Sequence, residues 1–264
     1  MRTSALMYHD VLRPDRGPSG FTGGGPSRYA LGWDEFVSHL DLIATVPIAP
    51  TLVDRASDRD QACVLTFDDG GASAVDVGEE LARRGWRGYF FVTAGLVGTP
   101  GFVDGEGVLE LDRMGHVVGS HSVTHPDRMG ALRYEEILRE WRESCEALSD
   151  LVGAPIRAAS VPGGFYRRRV AAAAARAGIA TLFNSEPVRT ARTVDGCLVV
   201  GRYGIRDDTT AREAAAAAAG EPATWRRQYV AWSIRKPVKV LGGERYDRAR
   251  RALLASRFGR RVRS

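Results

Sequence analysis

The segment Val64-Leu65-Thr66-Phe67-Asp68-Asp69-Gly70 is a short apolar run that ends in two adjacent aspartates and a glycine. Short apolar runs with β-branched and aromatic residues are typical of buried strands. Polar residues that directly follow such a strand lie at its carboxyl end, where parallel α/β folds assemble their functional sites. The segment therefore predicts a parallel sheet and also marks the edge of that sheet at which chemistry takes place.

Strands and helices alternate along the chain on both sides of this segment. Apolar strands are predicted at residues 5–8, 63–67, 89–92, 116–120, 158–161, 181–184 and 198–203. Helices are predicted at residues 33–44, 75–84, 109–114, 134–151 and 168–177, and Thr210 with Glu213 forms a capping box for a further helix. This alternation predicts an α/β fold with a parallel sheet, either as a barrel or as an open doubly wound sheet.

The composition is that of a globular enzyme. The chain has 264 residues, of which 44% are hydrophobic and 26% charged, and its net charge is +5. The strand–helix pattern loosens from about Glu221, and much of the positive charge follows Arg226. We therefore predict a catalytic domain over residues 1–220 and a basic helical extension over residues 221–264, with an amphipathic helix at 246–258.

The cysteines and the terminal sequence indicate a compartment. Cys63, Cys145 and Cys197 are far apart and lack C-x-x-C spacing, which argues against a disulfide framework and for a reducing environment. The sequence at the N-terminus has no apolar core long enough for a signal peptide, and no stretch approaches the length of a membrane span. A cytoplasmic location is expected.

Three further polar motifs follow predicted strands. They are Ser120-His121-Ser122-Val123-Thr124-His125-Pro126, Pro162-Gly163-Gly164 and Ser185-Glu186. With the two aspartates, His121 and His125 could supply one carboxylate and two imidazoles to a metal, and the second carboxylate could activate water. Taken singly, the aspartates or the glycines could only form turns, and the histidines could lie on a helix surface. Their common position at strand ends favours a metal-dependent hydrolase.

The sequence at this point resembles a known family. Residues 66–70 and 121–126 are similar to the first two motifs of the NodB-homology polysaccharide deacetylases, carbohydrate esterase family four, and the resemblance covers roughly residues 4–205. It implies a distorted (β/α) barrel with fewer than eight units. It also implies that Asp69, His121 and His125 bind a divalent metal, usually zinc, and that Asp68 is the general base. Three such ligands leave open positions for water and substrate on zinc.

The third motif departs from the family pattern. The family has Arg-x-Pro-x-Gly there, but this chain has Ser160 in the place of the arginine that often orients the base. Arg128 or the run 167–169 could supply the missing charge if the fold brings it close. The backbone N–H of Gly163 matches the family's oxyanion donor.

The general acid also departs from the pattern, because no histidine follows His125. The N-terminal Met7-Tyr8-His9-Asp10-Val11 is similar to the subset typified by poly-N-acetylglucosamine deacetylases, which implies that His9 protonates the leaving amine. Alternatively, His9 only forms hydrogen bonds at the barrel mouth. Glu186 stands where the fourth motif has an acidic residue, and we expect it to bond His9 and raise its pKa. Asp10 should face the opposite side of the strand and receives no role.

The resemblance predicts metal-dependent removal of an N-acetyl group from an amino sugar or glycan intermediate, with release of acetate and a free amine. Two alternatives remain: a same-fold amidohydrolase that acts on a non-sugar amide, and an inactive glycan-binding homologue. The expected partner is an acetylated sugar or glycan. The basic C-terminus could also hold the protein near an anionic membrane. The sequence has no recognisable nucleic-acid-binding module.

Overall fold

The computed structural model describes residues 2–17, 19–22, 26–53 and 61–234. The strands are β1 Arg2–Tyr8, β2 Val11–Leu12, β3 Leu31–Gly32, β4 Gln61–Phe67, β5 Tyr89–Val92, β6 Val117–Ser120, β7 Ala158–Ser160, β8 Thr181–Phe183, β9 Arg192–Val194, β10 Cys197–Val200 and β11 Arg202–Gly204. The helices are α1 Trp33–Ala44, α2 Ala74–Arg83, α3 Gly105–Arg113, α4 Tyr134–Val152, α5 Arg168–Arg176 and α6 Ala211–Ala218, followed by α7 at residues 222–234.

The main sheet closes into a barrel. Its strand order is β11-β1-β4-β5-β6-β7-β8-β10-β9, and every neighbouring pair is parallel except β10 with the outer strand β9. Strands β10 and β11 are separated only by Gly201, yet β10 pairs with β8 and β11 pairs with β1. This one bent segment therefore joins the two ends of the sheet into a ring of seven parallel positions. The expected barrel with fewer than eight units is confirmed, and the open-sheet alternative is wrong.

Alternate residues of the strands belong to two separate apolar clusters. Side chains such as Leu6, Leu65 and Phe90 pack with the helices, whereas Ala5 and Val64 pack in a second cluster that contains no helical residue. The second cluster fills the barrel interior, because successive side chains of a strand point to opposite faces. Residues two apart on a strand share a face, so the interior face of each strand can be followed from this cluster to the carboxyl end of the strand. There it ends in a polar residue: His9, Asp68, Ser160 or Arg202. The interior series, meaning these inward-facing positions, thus ends in a polar layer at one mouth of the barrel.

The predicted elements agree with the observed ones apart from details at their ends. Helix α3 begins four residues before the predicted start, because Asp104 caps it by accepting a hydrogen bond from Gly107 N at 2.9 Å. The strand predicted at 198–203 is broken at Gly201. Strands β2, β3 and β9 are not among the predicted elements, because β2 and β3 have only two residues each and the first two residues of β9 are polar and exposed.

The histidines at residues 39 and 116 have structural roles, as expected. Both are buried. His39 Nε2 lies 3.0 Å from the Thr209 carbonyl oxygen, and His116 Nε2 lies 2.9 Å from that of Gly78. Neither ring therefore needs a ligand to explain its position.

The end of the described chain packs against the barrel. Trp225 in α7 donates to the Ala217 carbonyl oxygen at 2.9 Å and meets the Tyr203 ring edge-on at 5.6 Å. Gln228 bonds both the N–H and the carbonyl oxygen of Gly204. The predicted helix at 246–258 lies outside the described residues, so the boundary near residue 221 stays a prediction. Within the described part of the chain, no helix is both long enough and apolar enough to span a membrane.

Candidate active site

Asp69, His121 and His125 form a compact cluster at the barrel mouth. Asp69 follows β4, and His121 follows β6, two strands further round the ring. Asp69 Oδ1 lies 3.2 Å from His121 Nε2 and 3.4 Å from His125 Nε2. One ligand atom from each residue lies within 4.8 Å of the other two. The fold therefore brings the three predicted metal ligands together.

Ser160 sets the orientation of the His121 ring. Its hydroxyl donates to Asp68 Oδ1 at 3.0 Å and lies 2.6 Å from His121 Nδ1. Because the hydroxyl proton goes to Asp68, the oxygen accepts from the Nδ1–H of His121; the Ser160 carbonyl oxygen, at 3.1 Å, is a second acceptor. This tautomer leaves the Nε2 lone pair of His121 directed at the cluster, which is the state that a metal needs.

Arg202 holds Asp68 in a bidentate ion pair. Its Nη1 donates to Oδ1 at 2.6 Å and its Nη2 to Oδ2 at 2.8 Å. Further bonds to Thr66 Oγ1 at 3.0 Å and to the Asn184 carbonyl oxygen at 3.1 Å fix the guanidinium, which is fully buried. The arginine absent from the third motif is thus replaced by one from β11, a residue that the sequence analysis missed.

The arginines considered as substitutes have other neighbours. The guanidiniums of Arg128 and Arg167 lie 4.7 and 5.4 Å from the centre of the Phe165 ring. Arg169 donates to the Gly130 carbonyl oxygen, and Arg168 pairs with Asp195. The suggestion that Arg128 or the run 167–169 steadies the base is therefore wrong.

The loop that carries His121 and His125 has a strained backbone and is fixed by hydrogen bonds to helix α4. Ser122 and His125 have positive φ angles of 67° and 52°, which L-residues rarely adopt. Glu140 of α4 accepts from the backbone N–H groups of Val123 (2.9 Å) and Thr124 (3.0 Å), and from the Thr124 hydroxyl (2.7 Å). One carboxylate thus satisfies three donors of the loop between the ligands.

The charges of the two aspartates are stabilised in different ways. Burial opposes ionisation of Asp68, but the charge and hydrogen bonds of Arg202, with a further contribution from His121 when that ring is protonated, outweigh it, so the pKa of Asp68 lies below its ordinary value. Burial also opposes ionisation of Asp69, but the His121 and His125 rings beside its Oδ1, when protonated, hold its pKa well below the ordinary range. Both carboxylates are therefore ionised near neutral pH.

His9 lies at the same mouth, after β1. It lines a small pocket together with Asp68, Gly70 and Gly71, and its ring centre is 4.5 Å from that of Tyr29. Its Nδ1 is buried without a hydrogen-bond partner. The ring therefore carries an unused polar atom within the group of predicted site residues.

The comparisons with known proteins agree with this geometry. Residues 55–182 match the family model described as polysaccharide deacetylase. The chain carries a polysaccharide deacetylase domain. Aspartates 68 and 69 and both histidines of the cluster fall within the matched residues.

Solved structures share the fold of this deacetylase domain over most of the chain. IcaB from Ammonifex degensii is 25% identical with a TM-score of 0.68, covering 83% of this chain and 97% of that one. The Streptococcus pyogenes deacetylase PplD, solved with acetate, is 19% identical with a TM-score of 0.65, covering 80% and 96%. A gellan lyase from a Bacillus species is 30% identical over 118 residues, so this chain matches 44% of its own length but only 5% of that protein.

Glu186 does not pair with Nδ1 of His9 in the deacetylase domain. Its Oε2 accepts from Arg192 Nη2 at 3.0 Å, whereas Nδ1 of His9 has no partner. Burial lowers the pKa of His9 below its ordinary value, although Asp69 and Asp68 act in the opposite direction. The expectation that Glu186 raises the pKa of His9 is therefore corrected. A role of Glu186 in catalysis stays a prediction.

Gly163 lies in a short 3-10 turn, Pro162–Gly164, at the end of β7. It is exposed and has φ +63°, and a Cβ at this position would overlap the backbone of Asp127. The glycine thus lies against the segment that follows His125, and its role as an oxyanion donor stays a prediction.

The donor set suits a divalent cation. Two imidazole nitrogens and one carboxylate oxygen are ligands that zinc accepts, and three protein ligands are typical of a catalytic site. The bond from His121 to Ser160 supplies the outer support that metal-binding histidines usually have. The residues present therefore fit the metal that the deacetylase family implies.

Proposed function

We propose that the chain hydrolyses an acetamide on an N-acetylated amino sugar or glycan, releasing acetate and a free amine, with a divalent metal, zinc, bound by Asp69, His121 and His125. The observation that carries this proposal is the position of Asp68. It is an ionised carboxylate, fixed by Arg202 at 2.6 and 2.8 Å, directly beside the ligand cluster. A base beside a metal site is the arrangement that hydrolysis of an unactivated amide requires.

Asp68 would take the proton of the attacking water. Its Oδ1 already accepts from Arg202 and Ser160, whereas Oδ2 accepts from Arg202. A carboxylate oxygen can accept two hydrogen bonds, so Oδ2 keeps a lone pair for the water proton. The bidentate clamp prevents the carboxylate from rotating during the transfer.

The other groups would act on the oxygen and nitrogen of the amide. When bound, the metal supplies Lewis acidity, which polarises the acetyl carbonyl and lowers the pKa of water. The Gly163 N–H would donate to the developing oxyanion. His9, in its protonated form, would give a proton to the leaving nitrogen, because an amine anion does not depart unaided. Burial lowers the pKa of His9, which makes it a stronger acid but keeps less of it protonated at neutral pH.

The match to the polysaccharide deacetylase model and the likeness to IcaB support an acetylated sugar or polysaccharide as the substrate. The alternative of an inactive glycan-binding homologue is weakened, because Arg202 holds Asp68 in the place of the arginine that the third motif lacks. A non-sugar amide remains the second candidate. Membrane association through the basic C-terminus and a cytoplasmic location are kept as proposals; the three buried, unpaired cysteines support a reducing compartment.

Acetate release from N-acetylglucosamine oligomers tests the proposal. Activity should disappear after chelation and return with zinc. Asp68→Asn should bind metal as the wild type does but lose about 100-fold or more in kcat, the usual contribution of a general base. Asp150→Asn, an exposed aspartate at the end of α4, is the matched control. Release of acetate by the chelated protein at the full rate would refute metal dependence. Binding of oligomers without release would establish the glycan-binding alternative.

A further inference from the structure

Asp10 is a buried carboxylate that the proposed reaction does not use. It is 6% exposed, and its Oδ1 accepts from Ser19 Oγ at 2.6 Å and from Ser73 Oγ at 3.4 Å. Ser19 Oγ in turn accepts from the backbone N–H of Ser73 at 2.9 Å. Asp10 thus joins the glycine-rich loop after β2 to the loop that follows Asp68 and Asp69.

Two glycines enclose this carboxylate. A Cβ at Gly20 or at Gly71 would overlap the carboxylate oxygens of Asp10, and Gly20 has φ +64°. The Gly101 carbonyl oxygen accepts from both Gly20 N at 2.7 Å and Ala72 N at 2.9 Å. The backbone around Gly20 is therefore held on two sides, by the carboxylate and by the segment at residue 101.

The next residue, Phe21, lies against a metal ligand. Its ring centre is 4.6 Å from that of His125 and 5.1 Å from that of Phe102, and the side chain is half-buried. The His125 side chain is 18% exposed, so this ring covers one side of a partly open part of the cluster. An aromatic face thus borders the place where the acetamide would react.

We propose that Phe21 determines specificity for the sugar that carries the acetamide, and that Asp10, acting through Ser19, is the positioning residue that holds Phe21 against His125. This inference rests on the proposed function. An aromatic ring offers a flat apolar surface to the C–H face of a pyranose, as it does to other apolar groups. A small acetylated compound without sugar rings would not use that surface, although it would use the same metal ligands and base.

Steady-state kinetics on two substrates test the inference: the N-acetylglucosamine tetramer and methyl acetate, which has no ring. Phe21→Ala should raise KM for the tetramer about tenfold, equivalent to about 1.4 kcal/mol, and change kcat little. Its kcat/KM for methyl acetate and its zinc affinity should stay at the wild-type values. Phe21→Tyr should restore KM. Tyr134→Ala, an exposed aromatic on α4, is the control.

The positioning role is tested by a double-mutant cycle. Ser19→Ala should raise KM for the tetramer in the same way, because the tie between Asp10 and the loop is cut. The double variant Ser19→Ala/Phe21→Ala should be no worse than Phe21→Ala alone, since both changes remove one interaction with the sugar. Additive effects in the double variant would overturn the positioning role of Asp10 and Ser19.

The outcomes separate the inference from the proposed function. If the wild type releases acetate from the tetramer and Phe21→Ala has an unchanged KM, the inference is overturned and the proposed function stands. If Phe21→Ala weakens zinc binding or reduces turnover of both substrates equally, Phe21 acts on His125 rather than on the sugar, and the inference is again overturned. If the wild type releases no acetate from the tetramer at any zinc loading, the proposed function falls, and the inference falls with it.

Discussion

Replacement of Arg202 by methionine should lower the stability of the folded protein and impair Asp68 as the proposed general base. The substitution keeps an unbranched apolar side chain of similar reach but removes the guanidinium. Asp68 then loses two charge-assisted hydrogen bonds, at 2.6 and 2.8 Å, while remaining buried. Thr66 Oγ1 and the Asn184 carbonyl oxygen each lose a donor as well.

The expected loss of stability follows from these contacts. Removing one partner of a buried ion pair costs about 3–5 kcal/mol, because the remaining charge is left without compensation. For a chain of this size, that corresponds to a decrease in melting temperature of about 6–20 °C. The pKa of Asp68 should also rise, because burial is then opposed by fewer positive charges. The acid limb of the kcat/KM profile should therefore move to higher pH.

Urea unfolding of a double-mutant cycle measures the pair directly. Arg202→Met/Asp68→Asn removes both charges, so it should cost at least about 2 kcal/mol less than the sum of the single variants. Arg176→Met, on the exposed face of α5, should change stability by no more than about 0.5 kcal/mol. Additive losses in the cycle, or an Arg202→Met variant as stable as the Arg176→Met control, would refute the assignment of Arg202 as the partner of Asp68.

Two further predictions concern Glu140 and Asp10. Glu140→Ala should weaken zinc binding about 10- to 100-fold, because it leaves three donors of the loop between His121 and His125 without their acceptor. Competition with a chromogenic chelator measures the zinc affinity. The control Glu143→Ala, on the same helix, should bind zinc as the wild type does. Burial raises the pKa of Asp10 from 3.8 to about 6, so the folded protein binds this proton more tightly than the unfolded chain. Stability should then fall as pH rises between about 4 and 6, by up to about 3 kcal/mol relative to Asp10→Asn, which cannot ionise. Urea unfolding at several pH values would contradict this if the two proteins showed parallel profiles.

The clustering of the three candidate metal ligands could be predicted from the sequence, but the partner of Asp68 could not. Asp69, His121 and His125 belong to contiguous motifs at strand ends, where chain order alone indicates a common edge. Arg202 is 134 residues from Asp68 and has no motif around it. It reaches the site because the strand bends at Gly201 and pairs with β1, which is itself next to β4. Closure of the barrel depends on the register of all its strands, and no local sequence pattern shows that register.

Asp10 has no recognisable role in the sequence pattern, because alternation along a strand places it on the side opposite to His9. Its partners come instead from loops, at Ser19 and Ser73. Loop contacts have no periodicity, and a glycine that packs against a carboxylate looks the same in a sequence as a glycine in a turn. The structural role of Asp10 therefore depends on tertiary contacts that no local sequence pattern shows.

The backbone at Asp69 explains how two adjacent aspartates can serve one site. In a continuing strand, Asp68 and Asp69 would point to opposite faces, and only one carboxylate could reach the barrel mouth. Asp69 instead has φ +78°, and Gly70 continues the turn at φ +75°. Its carboxylate thereby meets His121 and His125, while Asp68 continues the interior series toward Arg202. Such a conformation costs about 1–3 kcal/mol for a residue other than glycine, and it persists only where surrounding contacts enforce it. The strain therefore separates the two carboxylates into different environments, one facing imidazoles and one facing a guanidinium, and the proposed reaction would use the first as a metal ligand and the second as a base.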